Sequence, residues 1–304
     1  MKALKSFNRW KNDSLANKLF DIANYSVLFL AVAVCLYPLY YIVLVSFSSQ
    51  VTGVVLLPVK PTLDPYKMIL GDSKIWIGYG NTIFYAGLGT LANLAVTLPC
   101  AYALSRKDFV GRGLVTTFIM ITMFISGGLV PSYLNISNMG LINTRLVIIL
   151  IGLTSAYNIV VSRTFFASTI PSELLEAAKI DGCGNFNFFV RVVLPLSKPI
   201  MAVMALYFGV ARWNSYFTEM IYLNDIDKYP LTLFLRRLLS SIDELQALIM
   251  QGLIDDVGGA LASMQLATVM QYVLIVVSTV PMMIVYPFMQ KYFAKGVMIG
   301  SVKG

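Results

Sequence analysis

The sequence predicts an all-α integral membrane protein of six transmembrane helices, and three observations carry that reading. Of 304 residues, 58% are hydrophobic and only 12% are charged, with a mean hydropathy of +0.74, which is more apolar surface than a soluble core of this size hides. The apolar residues gather into six runs, each long enough to cross roughly 30 Å of hydrocarbon as a helix. The basic residues between those runs are unevenly distributed, as the positive-inside rule requires.

The elements follow in order. A basic leader, 1–23, precedes a first span at 24–47, whose length and lack of an Ala-x-Ala cleavage site mark it as a retained span rather than a signal peptide. An external segment, 48–79, contains Pro58, Pro61 and Pro65 among turn residues and reads as extended chain or short helices over the outer face. The core, 80–291, holds five further spans at 80–105, 114–135, 143–167, 193–216 and 266–291. A polar island at 172–184 lies on one side of this core, and an external segment at 217–265 on the other. That second segment mixes Glu219, Asp225, Asp227, Asp243, Glu244, Asp255 and Asp256 with Leu231, Leu235, Leu238 and Leu239. Leucines three and four apart predict an amphipathic surface helix. A tail, 292–304, ends the chain.

With the leader inside, fifteen of the 23 Lys and Arg residues fall in the inner parts: the leader, the 106–112 connection, the surroundings of the polar island and the tail. Six acids accompany them, against eight basic and nine acidic residues outside. This bias places both termini and the Glu176 region in the cytosol of a multi-pass membrane protein. The net charge of +8 therefore describes topology and contact with membrane lipid. No nucleic-acid partner is indicated, because the basic residues do not cluster with interleaved aromatics.

Enzyme chemistry finds little support. The chain has no histidine, the commonest general base and metal ligand. Cys35, Cys100 and Cys183 are far apart, so neither a disulfide framework nor a metal site is indicated. There is no Gly-x-x-x-x-Gly-Lys-Ser/Thr phosphate loop, and no Asp or Glu sits in an apolar centre, where ion-coupled carriers bind their ion. The chain is expected to hold no cofactor, and any energy its work requires to enter through a partner.

The polar island has the form of a short helix. Ser172 after Pro171 is the expected N-cap, and Glu173 and Glu176 meet the positive end of the macrodipole. Gly182 and Gly184 supply the stop. Leu175, Ala178 and Gly182 make one narrow face with little bulk, which a partner backbone could approach closely. An ordinary amphipathic connection is the competing reading.

Glu176-Ala177-Ala178, then Gly182, then Val192 with Leu194-Pro195 fill every position of the EAA motif. In this the chain resembles the permease subunits of bacterial ABC importers, with their type I (MetI-like) fold. The resemblance implies that the island is a coupling helix inserted in a cleft of an ATPase, with Glu173, Glu176, Ala177, Ala178, Asp181, Gly182, Leu194 and Pro195 serving that contact. It further implies a second homologous permease, two ATPase subunits that bind ATP and magnesium, and an extracytoplasmic solute-binding protein. Trp213-Asn214 looks like the signature of the carbohydrate branch. The ending with Lys295, Gly296, Lys303 and Gly304 resembles the tail of maltose-importer-type permeases, which reaches the ATPase. Within the branch, the likeness is to permeases for complex oligosaccharides.

A sugar path would draw on Arg212, Trp213, Asn214 and Tyr216, an aromatic face beside amide and guanidinium groups, with Tyr157 and Asn158 as further members. Interfacial anchoring is the other role open to Trp213, and helix packing the other role open to Tyr157, Asn158 and Ser162. A self-contained secondary carrier or channel remains the alternative to the ATP-driven importer.

Overall fold

The computed structural model describes residues 14–51, 53, 57–253 and 256–300, with side chains as far as residue 287. Helices α1 (Leu15–Ser46), α2 (Asp64–Gly71) and α3 (Ser73–Ser105) are followed by α4 (Arg112–Ile121) and α5 (Leu129–Asn138). Then come α6 (Arg145–Leu150), α7 (Ala156–Thr169), α8 (Ser172–Ile180) and α9 (Asn185–Phe188). A π-helical stretch, Phe189–Val193, leads into α10 (Leu194–Leu196), α11 (Lys198–Trp213) and α12 (Phe217–Tyr222). The amphipathic α13 (Leu231–Met250) and the long α14 (Val257–Gly300) complete the order. The chain forms two compact units, one reaching Ile69 and including Leu245–Val276, the other Leu70–Glu244 with Val277–Gly304.

In the first unit α1 starts where the Ser14 side chain accepts the Asn17 N–H. Most of its apolar side chains are exposed, and burial begins only at Val45 and Ser46. Beyond it the chain doubles back: Thr62 N–H donates to the Phe47 carbonyl at 2.9 Å and Ser49 N–H to that of Val59 at 3.1 Å. Tyr66 closes this turn with its ring tilted against that of Phe47, centroids 5.1 Å apart, and with a 2.8 Å hydrogen bond shared with Ser46 Oγ.

Helix α3 organises the second unit. Asp72 caps its first turn through the Lys74 N–H at 2.9 Å, and its 33 residues extend about 50 Å, beyond what hydrocarbon requires. Helices α7 and α11 pack along it. Its N-terminal half is tied to the chain that leads into α13: Asn81 Nδ2 donates to the carbonyls of Asp227 (2.8 Å) and Tyr229 (3.1 Å), and Tyr85 Oη to that of Lys228 (2.9 Å). Leu231 N–H, which opens α13, donates to Thr82 Oγ1 at 2.9 Å. The residues of α13 that turn inward recur every three or four positions, with Arg236 and Arg237 on the outer side.

Six unbroken spans were expected, and here the structure differs. Among the described residues three helices are long and apolar enough to cross a membrane, Leu15–Ser46, Ser73–Ser105 and Val257–Pro287, or four if a bent pair forms one span. That pair, Asn185–Leu196 and Lys198–Trp213, turns by 83°, so the fifth run is straight only from Lys198. Pro195 supplies no N–H, a π-helical turn precedes it, and Pro199 opens the next helix. The third run breaks between α4 and α5, where Thr122 Oγ1 donates to the Ile119 carbonyl at 2.7 Å and Gly127 and Gly128 follow. The fourth breaks between α6 and α7, each piece having its own cap, Thr144 on Val147 N–H and Ser155 on Asn158 N–H. Hydropathy sums over a run and does not register such breaks.

Asn81→Leu leaves the carbonyls of Asp227 and Tyr229 without their donor, a loss of about 1–3 kcal/mol each if they stay buried. The expected result is a lower melting temperature in detergent and faster tryptic cleavage after Lys228. An unchanged melting temperature would show that this stitch does not hold the segment.

Candidate functional site

Helix α8 begins at Ser172, and Pro171 occupies the cap position without a side-chain hydrogen bond. The expected Ser172 cap is thus displaced by one residue, because Pro171 already has the extended geometry of a cap (ψ 144°) and puts Ser172 in the first turn. At the other end Cys183 N–H donates to the Ala178 carbonyl at 2.8 Å and Gly182 N–H to that of Lys179 at 3.1 Å, the paired bonds of a Schellman motif. Gly182 has φ +73° with open space around it, so glycine is required there by the backbone alone. Gly184 has an ordinary φ of −69° and precedes α9.

The orientation of α8 reverses one expectation. Leu175 and Ala178 pack inward, against a core that includes Tyr102, Phe166 and Phe188, because they are the apolar members of the face nearest the chain's own helices. Outward stand Glu173, Glu176, Ala177 and Asp181, joined by Leu174, by Ile180 at 87% exposure and by Phe186 at 78%. Leu194 is half-buried on the same core and Pro195 is exposed.

A charged node lies beside the helix. Arg106, the C-cap of α3, grips Asp108 through both oxygens, Nε to Oδ1 at 2.9 Å and Nη2 to Oδ2 at 2.6 Å. Its Nη1 reaches Asn185 Oδ1 at 2.7 Å, and Lys179 Nζ of α8 reaches Asp108 Oδ2 at 3.2 Å. The Arg106 guanidinium above all, with Lys179, holds the Asp108 carboxyl well below the usual carboxylate range. A cleft of about 540 Å³ between this node, the end of α7 and α8 includes Glu173, Glu176 and Lys179 in its lining. The sequence reading missed Arg106, Asp108 and Asn185, whose only signal is the polarity of a short connection.

The proposed sugar-path residues are not held alike. Arg212 is committed to backbone: Nη2 donates to the Ile149 carbonyl at 3.0 Å, Nη1 to that of Ile148, and Nε to Asn93 Oδ1 at 3.2 Å. Asn93 in turn donates to the carbonyls of Gly152 and Leu153, both at 2.7 Å. Together they satisfy the end of α6 where the fourth run breaks. Gly89 makes room for this, since a Cβ there would lie 3.1 Å from Arg212 Nε. Trp213 is 8% exposed and its indole N–H donates to the Ser278 carbonyl at 3.2 Å, so it is a packing residue with no open ring face. Asn214, Tyr216 and Tyr157 keep exposed side chains, and Asn158 is half-buried. Ser162 is buried with no hydrogen-bond partner among the described residues, and so does not act as polar glue. Glu219, expected on the outer surface, is 2% exposed and accepts from Ser215 Oγ at 2.8 Å.

Lys295 and Gly296 lie in the backbone of α14, which stays helical to Gly300. Lys303 and Gly304 fall outside the described residues.

Residues 75–299 match the family described as binding-protein-dependent transport system inner membrane component. The chain is 35% identical to the polygalacturonan/rhamnogalacturonan transport system permease protein YtcP of Bacillus subtilis, over 95% of this chain and 100% of that one. It is 26% identical to the arabinooligosaccharides transport system permease protein AraQ of Halalkalibacterium halodurans, over 97% and 99%. Among solved structures it resembles a bacterial ABC transporter involved in import of the acidic polysaccharide alginate, with TM-score 0.79 and 34% identity over 92% of this chain and 99% of that chain.

Arg212→Ala strips Ile148 and Ile149 of their donor, and the expected loss is about 2–4 kcal/mol of stability, read as a fall in melting temperature. Asn214→Ala is expected to leave that temperature unchanged. Equal melting temperatures for both variants would overturn the capping role of Arg212.

Proposed function

Because the chain belongs to the family of binding-protein-dependent transport system inner membrane components, the membrane-embedded permeases of ABC importers, we propose that it forms half of the translocation path for an oligosaccharide. The observation that carries its coupling role is α8 itself: a helix closed by its own Schellman motif, apolar inward, with Glu173, Glu176, Ala177 and Ile180 facing out.

On this reading α8 docks on an ATPase subunit with Asp181, Gly182 and the exposed Phe186 at the rim, while Ala178, Leu194 and Pro195 set its angle from within. Two such ATPases bind ATP and magnesium, and the chain itself holds no cofactor. A second homologous permease completes the path, and an extracytoplasmic binding protein delivers the sugar. Both termini face the cytosol, as the excess of basic residues on that side favours, and the segment with Lys295, Gly296, Lys303 and Gly304 extends toward the ATPases. Closure of the ATPases on ATP draws the coupling helices together and turns the cavity outward. The cargo class follows the relatives, whose names specify galacturonan-, arabinose- and alginate-type saccharides. Asn214, Tyr216, Tyr157 and Asn158 are the path candidates whose side chains are not committed to backbone.

Glu176→Lys reverses charge on the outward face, and Ile180→Glu puts a charge at its most exposed apolar residue. Each is expected to reduce ATPase capture in detergent pull-downs and uptake by roughly tenfold or more, a change of about 1.4 kcal/mol, with membrane insertion unaltered. Normal capture and uptake in both would remove the docking assignment. Uptake that needs no ATP and stops when ion gradients collapse would replace the importer with a secondary carrier.

A further inference from the structure

A docking helix moves a transmembrane span only if it is mechanically joined to one. Helix α8 is joined by sequence to α7 through the short Ile170-Pro171 link. A second junction runs through space. Arg106 stands where α3 ends, its side chain 16% exposed and its guanidinium carbon 6.0 Å from the Tyr102 ring centroid. It grips Asp108 bidentately and holds Asn185 of α9 with its remaining nitrogen. The carboxylate so fixed then receives Lys179, in the last turn of α8. Arg112 of α4 donates to the Arg106 carbonyl at 3.2 Å. One acidic residue thereby joins the inner end of α3 to α8, with α4 and α9 attached to the same arginine.

We propose that Asp108 is a positioning residue for coupling, clasping the docking helix to the inner end of α3 so that displacement of that helix is passed to the second span. The inference rests on the importer function proposed above. Its role is geometric more than stabilising: Asp108 and Lys179 are 45% and 53% exposed, and ion pairs so exposed contribute little to folding. The Arg106–Asp108 fork gives direction, since a bidentate pair fixes the carboxylate plane as well as its distance.

The test uses the whole transporter in proteoliposomes, with ATPase subunits and binding protein, and reads saccharide imported per ATP hydrolysed. Asp108→Ala is expected to assemble, melt and hydrolyse ATP as the unmodified protein does, while import per ATP falls at least about fivefold, the scale of a modest coupling energy. Asp108→Glu, which keeps the charge, is expected to recover much of it. Import per ATP unchanged in Asp108→Ala would overturn the clasp, and so would equal losses of assembly, melting temperature and hydrolysis, which indicate a purely structural role. A second measurement covers a variant that folds poorly. Asp108→Cys with Lys179→Cys, in a chain whose Cys35, Cys100 and Cys183 are serine, is bridged by a reducible bis-thiol cross-linker. Coupling should return on cross-linking and vanish on reduction, and failure to return overturns the proposal. If the unmodified complex imports nothing with ATP, the functional reading itself falls, whatever Asp108 does.

Discussion

The architecture depends on one constraint: backbone carbonyls freed where a helix breaks and shielded from water must be met by protein donors. Helix α3 supplies many of them. Asn81, Tyr85, Gly89 and Asn93 follow one another at intervals of four, so they share one buried face of the helix. Asn81 and Tyr85 serve the 227–229 chain, Asn93 serves the gap between α6 and α7, and Gly89 leaves room for the guanidinium that completes the work. Without this face the interruption of the fourth run would leave several unmet carbonyls in an apolar setting, each costing more than an average contact returns.

The same helix connects three levels of the molecule. Its N-terminal half fastens the 227–231 chain, its middle meets α6, α7 and α11, and its C-terminal end carries Arg106 beside α8. Arg163 of α7 adds to that inner junction by donating to the Leu104 carbonyl at 3.0 Å. Segments far apart in sequence are thereby referred to one rod, and a change at either end has a defined route along it.

How much was legible in the sequence divides along physical lines. Features set by local chemistry were readable: the long apolar runs of α1, α3 and α14, the glycine stop at Gly182, and the leucine spacing of α13. So was the motif from Glu176 to Pro195, whose residue types and intervals survive any uncertainty in packing. Features set by tertiary choice were not. Leu175 and Ala178 form a coherent face, but nothing local says whether it meets a partner or the chain's own Phe166 and Phe188. Arg212 and Trp213 have the chemistry of a sugar site, and only the position of the α6 carbonyls and of Ser278 assigns them elsewhere. The recurrence of Asn81, Tyr85, Gly89 and Asn93 was a missed signal already present in the sequence, since polar and small residues in step along an apolar run indicate an inward face.

The way α8 ends has a bearing on assembly. Its last carbonyls are met by Gly182 and Cys183 of the same chain, so the free subunit already holds the shape that a partner would grasp. Ordering entropy, which segments that fold on contact lose at the moment of binding, has here been lost beforehand. Association is then a meeting of preformed solids rather than a coupled folding event, and its heat-capacity change should reflect the apolar area covered, with no large folding contribution added.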